Sequence, residues 1–222
     1  MQLRIHNEGR VYFVISCLIT IFIIPFYTIL GILLLILSIY IFYFFRDPIR
    51  AIPREDVVVS PADGVVTFVG ESNCPLENNT DTNKYKKISI FLSIFNVHVN
   101  RMPIDAVISS INYIPGKFLN ATLDKSSKEN ERNIIYAKKN NENFYIVQIA
   151  GLIARRIVCN IKNNQEVQRG QRIGIIKFGS RVDLYLPKNY NICVSQGQKV
   201  IGGETIISNP NNIQNIKNFI LK

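Results

Sequence analysis

The chain has 222 residues, enough for one ordinary domain plus an appendage. Its net charge is +10, but no basic helix or aromatic nucleic-acid signature accompanies that charge, so a nucleic-acid partner is not expected. Four cysteines at 17, 74, 159 and 193 stand far apart without a Cys-x-x-Cys pair, which excludes a zinc site and a disulfide scaffold and suits a domain facing a reducing cytoplasm.

Hydrophobic residues make up 47% of the chain and charged residues 19%, and the apolar excess is gathered at the N-terminal end. Val11 to Phe45 holds no charged residue. As one straight helix this stretch is roughly 52 Å long, against a hydrocarbon core of about 30 Å, so a single straight span is disfavoured. Pro25 divides it into Val11 to Ile24 and Phe26 to Phe45. Arg4 and Arg10 precede it, and Arg46, Arg50 and Arg54 follow, which puts both ends on the cytoplasmic side. Residues 1–50 therefore predict a hydrophobic helical membrane hairpin, or one span plus an interfacial helix. A cleaved signal peptide fits less well, because the apolar region is too long and lacks a small-residue cleavage site. A buried hairpin in a soluble core fits less well because the run has no polar face.

Residues 51–222 read as a soluble domain with 22 basic and 14 acidic residues, net +8. A basic surface beside a membrane segment suits anionic head groups, and a solvated face gives the same number. From residue 55 onward, β-branched and aromatic runs alternate with Gly, Pro and Asn: Val65 to Val69, Lys87 to Phe91, Ala106 to Tyr113, Phe144 to Ala150, Arg172 to Phe178 and Val182 to Leu186 are examples. No stretch there keeps a helical period. Val167-Gln168-Arg169-Gly170-Gln171 before Ile173 is echoed by Val194-Ser195-Gln196-Gly197-Gln198 before Val200. Each copy puts a turn glycine between short strands, as in lipoyl-like sandwich domains. The expected fold class is mainly β, a lipoyl-like or barrel-sandwich core preceded by the membrane hairpin.

The chemistry-bearing residues are few. Gly179-Ser180 offers a flexible peptide bond that the serine hydroxyl can attack if a base and a tight turn hold it; Gly-Ser pairs are more often plain turns. Of the two histidines, His6 lies before the apolar stretch, so an imidazole base in the β domain has to be His98. Alternation along Asn96-Val97-His98-Val99-Asn100 puts His98 on one strand face with Asn96 and Asn100. Asp63 sits before Gly64 after Pro61-Ala62, a composition that also makes a simple turn.

Taken together and in order, Phe44-Phe45-Arg46-Asp47-Pro48, Ser60-Pro61-Ala62-Asp63-Gly64, Asn96 to Pro103, Pro115-Gly116-Lys117-Phe118 with Glu129 to Asn133, and Phe178-Gly179-Ser180-Arg181-Val182-Asp183 resemble the short, membrane-associated type of phosphatidylserine decarboxylase proenzyme. The resemblance spans residues 44 to 207 and is specific as a set. It implies a proenzyme that cleaves itself between Gly179 and Ser180 into a large subunit, residues 1–179, and a small subunit, residues 180–222, which stay together as a heterodimer and dimerise further. It implies that Ser180 becomes a pyruvoyl group, His98 takes its hydroxyl proton and Asp63 orients the imidazole. The pyruvoyl ketone, with no metal and no pyridoxal phosphate, then holds the amine of phosphatidylserine as a Schiff base while carbon dioxide leaves, giving phosphatidylethanolamine. Longer family members read His-x-x-His-x-Pro where this chain has His98 and then Arg101, which puts a relay through the second histidine in doubt.

Arg155 and Arg156 are candidates for pairing with the lipid phosphate, and Phe118 for touching acyl chains; a solvent-facing arginine and a core phenylalanine are the plainer alternatives. The expected location is the cell membrane, with the catalytic domain facing the cytoplasm. Two rivals remain at this level. A membrane-tethered serine hydrolase would use Ser180, His98 and Asp63 but lacks a Gly-x-Ser-x-Gly elbow, and a non-enzymatic lipoyl-like adaptor would tolerate loss of Ser180.

Overall fold

The computed structural model describes residues 3–76, 83–117, 129–151, 156–177, 180–210, 213 and 218–222. The chain divides into two compact units, Met1–Ile49 and Arg50–Lys222.

In the first unit, β1 (Leu3–Ile5) precedes helix α1 (Asn7–Ile23) and helix α2 (Thr28–Phe44), and β2 (Arg46–Pro48) returns antiparallel to β1, with Ile5 opposite Arg46. His6 caps α1, its Nδ1 accepting the Glu8 N–H at 3.3 Å, and Glu8 in the first turn suits the positive end of the helix dipole. Pro25 has no N–H to continue the ladder, and α1 ends just before it. Where the helices meet, the residues are small and polar. Thr20 Oγ1 lies 3.3 Å from Ser38 Oγ, and these hydroxyls also donate to the Ser16 and Leu34 carbonyls on their own helices. A Cβ at Gly31 would stand 2.6 Å from Ile24 Cα, so this close approach needs glycine.

The expected membrane hairpin does not hold. Each helix has 17 residues, about 25 Å against a hydrocarbon core of about 30 Å, and among the described residues no helix is long and apolar enough to cross a membrane. The charge-free stretch overstates helix length because residues 24–27 go to the Pro25 turn and the chain leaves the helix at Phe45 for β2. The expected fold class, a lipoyl-like sandwich behind such a hairpin, is corrected accordingly. What stands is the mainly β character of the second unit.

That unit runs through β3 (Ala51–Pro53), β4 (Val58–Val59), β5 (Gly64–Asn73), β6 (Lys84–Leu92), β7 (Val99–Arg101), β8 (Ala106–Ile114), β9 (Arg132–Lys139), β10 (Glu142–Ala150), β11 (Arg156–Cys159), β12 (Glu166–Val167), β13 (Arg172–Lys177), β14 (Ser180–Pro187), β15 (Lys199–Val200), β16 (Ile206–Ser208) and β17 (Phe219–Leu221). Eight of these form one antiparallel sheet in the order β12-β8-β9-β10-β14-β6-β5-β15, and β11-β13-β7 form a second sheet of three. Two pairs, β16 with β4 and β17 with β3, complete the pairing of named strands in this unit.

The β9–β10 hairpin turns through Asn140 and Asn141, both at positive φ, a conformation asparagine tolerates and the hairpin twist requires. The two echoed segments are equivalent turns. Gly170 and Gly197 sit at φ 75° and 86°, and Gln171 and Gln198 each accept a main-chain N–H from three residues earlier, at 3.0 and 3.1 Å. They lead from β12 and into β15, the two opposite edges of the large sheet.

The faces of the large sheet differ in chemistry. On one face, Ile88, Ile90, Ile146, Ala150, Val182 and Leu184 join a buried core with Ile173 and Ile176 of β13. The other face carries Tyr85, Tyr145, Val147 and Tyr185.

Candidate active site

Ser180 opens β14, the strand between β10 and β6, opposite Ala150 on one side and Leu92 on the other. Alternation puts its side chain on the face of Val182 and Leu184, toward the core, and sends Arg181 and Asp183 to the other face. The residue is fully buried, and its Oγ has no hydrogen-bond partner among the described residues. A hydroxyl left so costs about 1–3 kcal/mol, which a purely structural position avoids by carrying an apolar residue.

The strand opposite Ser180 is held from its far side. Ala150 donates its N–H to the Glu131 carbonyl at 2.9 Å, and its own carbonyl accepts from Asn130 Nδ2 at 2.7 Å. Both polar main-chain groups of Ala150 thus point away from β14, making Ala150 and Ser180 a non-hydrogen-bonded pair with closely approaching side chains. Asn130 and Glu131 are in turn tied to Lys117, whose N–H donates to Glu129 and whose carbonyl accepts from Glu131. The Pro115-Gly116-Lys117 and Glu129 to Asn133 segments thereby buttress the Ser180 end of the sheet.

His98 leads into β7 and is fully buried. Its carbonyl accepts from the Ile176 N–H at 3.4 Å, four residues before Ser180 in the chain. Its Nδ1 lies 3.0 Å from the Asn96 carbonyl oxygen. A carbonyl only accepts, so Nδ1 carries a proton, and in the neutral ring the lone pair is then on Nε2, the tautomer a general base needs. Asn96 is itself fixed, its Oδ1 accepting from both the N–H and the hydroxyl of Ser93 at 2.9 and 2.8 Å.

Asp63 accepts from Arg50 Nη2 and from the Gly202 N–H, each at 2.7 Å. The Pro61 carbonyl of the same loop accepts from the Arg101 N–H at 2.8 Å, which lays this loop along β7 three residues from His98. Arg101 stands at the position of the second family histidine. It lies on the opposite strand face from Asn100, and its Nη1 donates to the Gly170 carbonyl at 2.9 Å and the Lys222 main-chain oxygen at 3.4 Å. Gly179, Phe118 and Arg155 lie outside the described residues. Arg156 is exposed on β11, opposite Lys177 of β13.

Sequence reasoning missed a buried row of amides. Asn133 Nδ2 donates to Gln148 Oε1 at 3.0 Å, and Gln148 Nε2 donates to Asn100 Oδ1 at 2.9 Å. Gln148 interrupts the apolar run Phe144 to Ala150 on its core face, which is the one signal that could have found it.

Fold and site together give a mainly β unit with a buried serine at the start of β14 and a buried histidine whose main-chain carbonyl accepts from Ile176 of β13. Residues 37–208 match the family model described as phosphatidylserine decarboxylase. The chain is 49% identical over 208 residues to a protein of Ehrlichia chaffeensis named phosphatidylserine decarboxylase proenzyme, covering 92% of this chain and 91% of the relative. It is 50% identical over 209 residues to the protein of that name from Pelagibacter ubique, covering 92% and 96%, and 47% identical over 210 residues to the one from Wolbachia sp. subsp. Brugia malayi, covering 93% and 91%. The chain belongs to the phosphatidylserine decarboxylase family.

Proposed function

We propose that this chain is a proenzyme that cleaves itself between Gly179 and Ser180, and that the small subunit so formed carries a pyruvoyl group with which the enzyme removes the carboxylate of phosphatidylserine. Its family membership makes it a carboxy-lyase of that lipid, yielding phosphatidylethanolamine and carbon dioxide. The observation that carries the self-processing reading is the buried Ser180 Oγ at the start of β14, without a partner among the described residues and directly after a glycine.

In this reading His98 Nε2 takes the hydroxyl proton as Ser180 Oγ bonds to the carbonyl carbon of Gly179. The C–N bond to Ser180 then breaks and its nitrogen takes the proton from His98, leaving an ester. Transfer of the Ser180 Cα proton to His98, neutral again after the previous step, breaks the Oγ–Cβ bond and frees residues 1–179 with a C-terminal carboxylate. Water replaces the nitrogen on the resulting dehydroalanine, ammonia departs, and residues 180–222 begin with pyruvoyl. Asp63, held by Arg50 and the Gly202 N–H in the loop whose Pro61 carbonyl accepts from Arg101 of β7, orients the imidazole in this reading.

The pyruvoyl group fits here because the residue that generates it is small, buried and at a strand end, and it supplies the electron-withdrawing ketone that the substrate amine requires. After cleavage His98 is at hand to hold a proton and return it to the substrate carbon. Arg156, exposed at the β11 end nearest Lys177, is the described cation best suited to the lipid phosphate, with Arg155 and Phe118 as further contacts.

The two subunits remain together as a heterodimer, and the protein works on the cytoplasmic side of the cell membrane without spanning it. A lipid substrate, a net charge of +8 on residues 51–222 and exposed apolar side chains such as Phe22 and Ile29 support that location. Vesicles containing anionic lipid are expected to carry the purified protein upward in a density gradient. Flotation equal to that of a protein-only control would remove the membrane reading.

Intact masses under denaturing conditions test the processing. Wild type is expected to give two polypeptides, the smaller lighter than a free serine-initiated chain by the change to pyruvoyl, and Ser180→Ala a single chain of 222 residues. A single chain from active wild type would overturn the reading.

A further inference from the structure

The buried amide row ends in an unused donor. Asn133 Nδ2 and Gln148 Nε2 are both committed, so the orientation of each amide is fixed in turn, and Asn100 accepts through Oδ1. Asn100 must then present Nδ2 outward from the row. Asn100 is fully buried, and that Nδ2 has no partner among the described residues. An amide whose oxygen already accepts a hydrogen bond is a stronger donor through its nitrogen, because linked hydrogen bonds polarise one another.

Register places this donor near the reacting serine. Gln148 stands opposite Val182 and Ala150 opposite Ser180, so the Gln148 and Ser180 side chains share the core face of the sheet as a diagonal pair. Asn100 reaches Gln148 from β7, the strand that His98 leads into two residues earlier. Ser180, His98 and Asn100 are all fully buried, a hydroxyl, a base and a neutral donor, and Gln148 ties Asn100 to the sheet face that carries Ser180.

We propose that Asn100 Nδ2 is a catalytic hydrogen-bond donor in self-cleavage, binding the oxygen on which negative charge builds as Ser180 gives up its proton and attacks. Gln148 and Asn133 are positioning residues that hold it in the donor orientation. The proposal rests on the self-processing reading given above. It adds a neutral source of charge stabilisation that costs no reorganisation when the reaction occurs.

The test follows conversion of the 222-residue chain by denaturing gel and intact mass in Asn100→Leu, with Asn100→Ser as a second variant in case the first does not fold. Each is compared at equal folded fraction by near-ultraviolet circular dichroism, with and without hydroxylamine, which cleaves an ester at the site but not the peptide bond. Conversion is expected to slow by about 10²–10³-fold in both variants, as for loss of one oxyanion donor, and hydroxylamine is expected not to restore it, because the ester fails to form. Gln148→Leu is expected to slow conversion less than either Asn100 variant.

Wild-type conversion in a folded Asn100 variant would overturn the proposal, as would restoration by hydroxylamine, which would move any role of Asn100 past ester formation. Failure of the underlying reading looks different. In that case wild type stays whole, or Ser180→Ala is cleaved too, whatever Asn100 does.

Discussion

His98→Gln is expected to keep the fold and slow self-cleavage by about 10²–10⁴-fold, the range for loss of a positioned general base. The glutamine amide can still donate to the Asn96 carbonyl that Nδ1 faces at 3.0 Å, so the packing around a fully buried side chain is largely conserved. What it lacks is the Nε2 lone pair. His98→Ala should show at least as large a loss, together with a stability penalty from the cavity it leaves. Time courses of chain conversion, run beside thermal melts, separate the two effects. If His98→Gln converts at the wild-type rate, the hydroxyl proton goes elsewhere, and Asp63 becomes the next group to replace.

This prediction draws on one feature that was legible in the sequence and one that was not. With two histidines in the chain and one of them ahead of the apolar stretch, His98 was the only imidazole available to the β domain. Its tautomer was not legible, because it depends on a main-chain carbonyl, and carbonyls carry no sequence signature. Asp63 was found as a motif member, but its partner Arg50 was read only as a flanking charge, and Gly202 lies 139 positions along the chain. Arg101 was legible as the residue at the second-histidine position, but its contact with the Gly170 carbonyl, 69 positions away, was not. Strands announced themselves through β-branched runs because each strand's pattern is local. The pairing that sets Ala150 against Ser180 and Gln148 under Asn100 is long-range, and one chain without its fold does not reveal it.

The N-terminal misreading has a similar root. Absence of charge from Val11 to Phe45 reports which solvent the side chains tolerate, and even after division at Pro25 it does not measure helix length. Length is set by where hydrogen-bonded helix stops. Pro25 and the return of the chain into β2 leave two helices of 17 residues, and the seam between them uses Ser16, Thr20, Gly31 and Ser38, residues an apolar stretch hides in plain view.

Asp183→Ala is expected to cost about 3–5 kcal/mol of stability. On the face of β14 opposite Ser180, the Asp183 carboxylate is 1% exposed and accepts from Arg181 Nε at 2.6 Å and Nη2 at 3.0 Å, with Lys87 Nζ 3.1 Å away. Arg181 also donates to Ser89 Oγ at 3.0 Å. The surroundings are poorly solvated: burial first, and the Asp183 charge second, push the neighbouring Tyr185 phenol up. Removing the carboxylate leaves two cations facing each other with little water to screen them. Replacing Arg181 as well, in Arg181→Met/Asp183→Leu, removes one cation and fills the space, and should recover much of the loss. Urea unfolding measures this best in a Ser180→Ala background, where one uncleaved polypeptide permits two-state treatment. Because Arg181 and Asp183 point away from Ser180, Asp183→Ala on the wild-type background should still cleave itself at temperatures where it stays folded. A loss below about 1 kcal/mol would mean that water reaches the pair and screens it as at a surface, where such contacts are worth little.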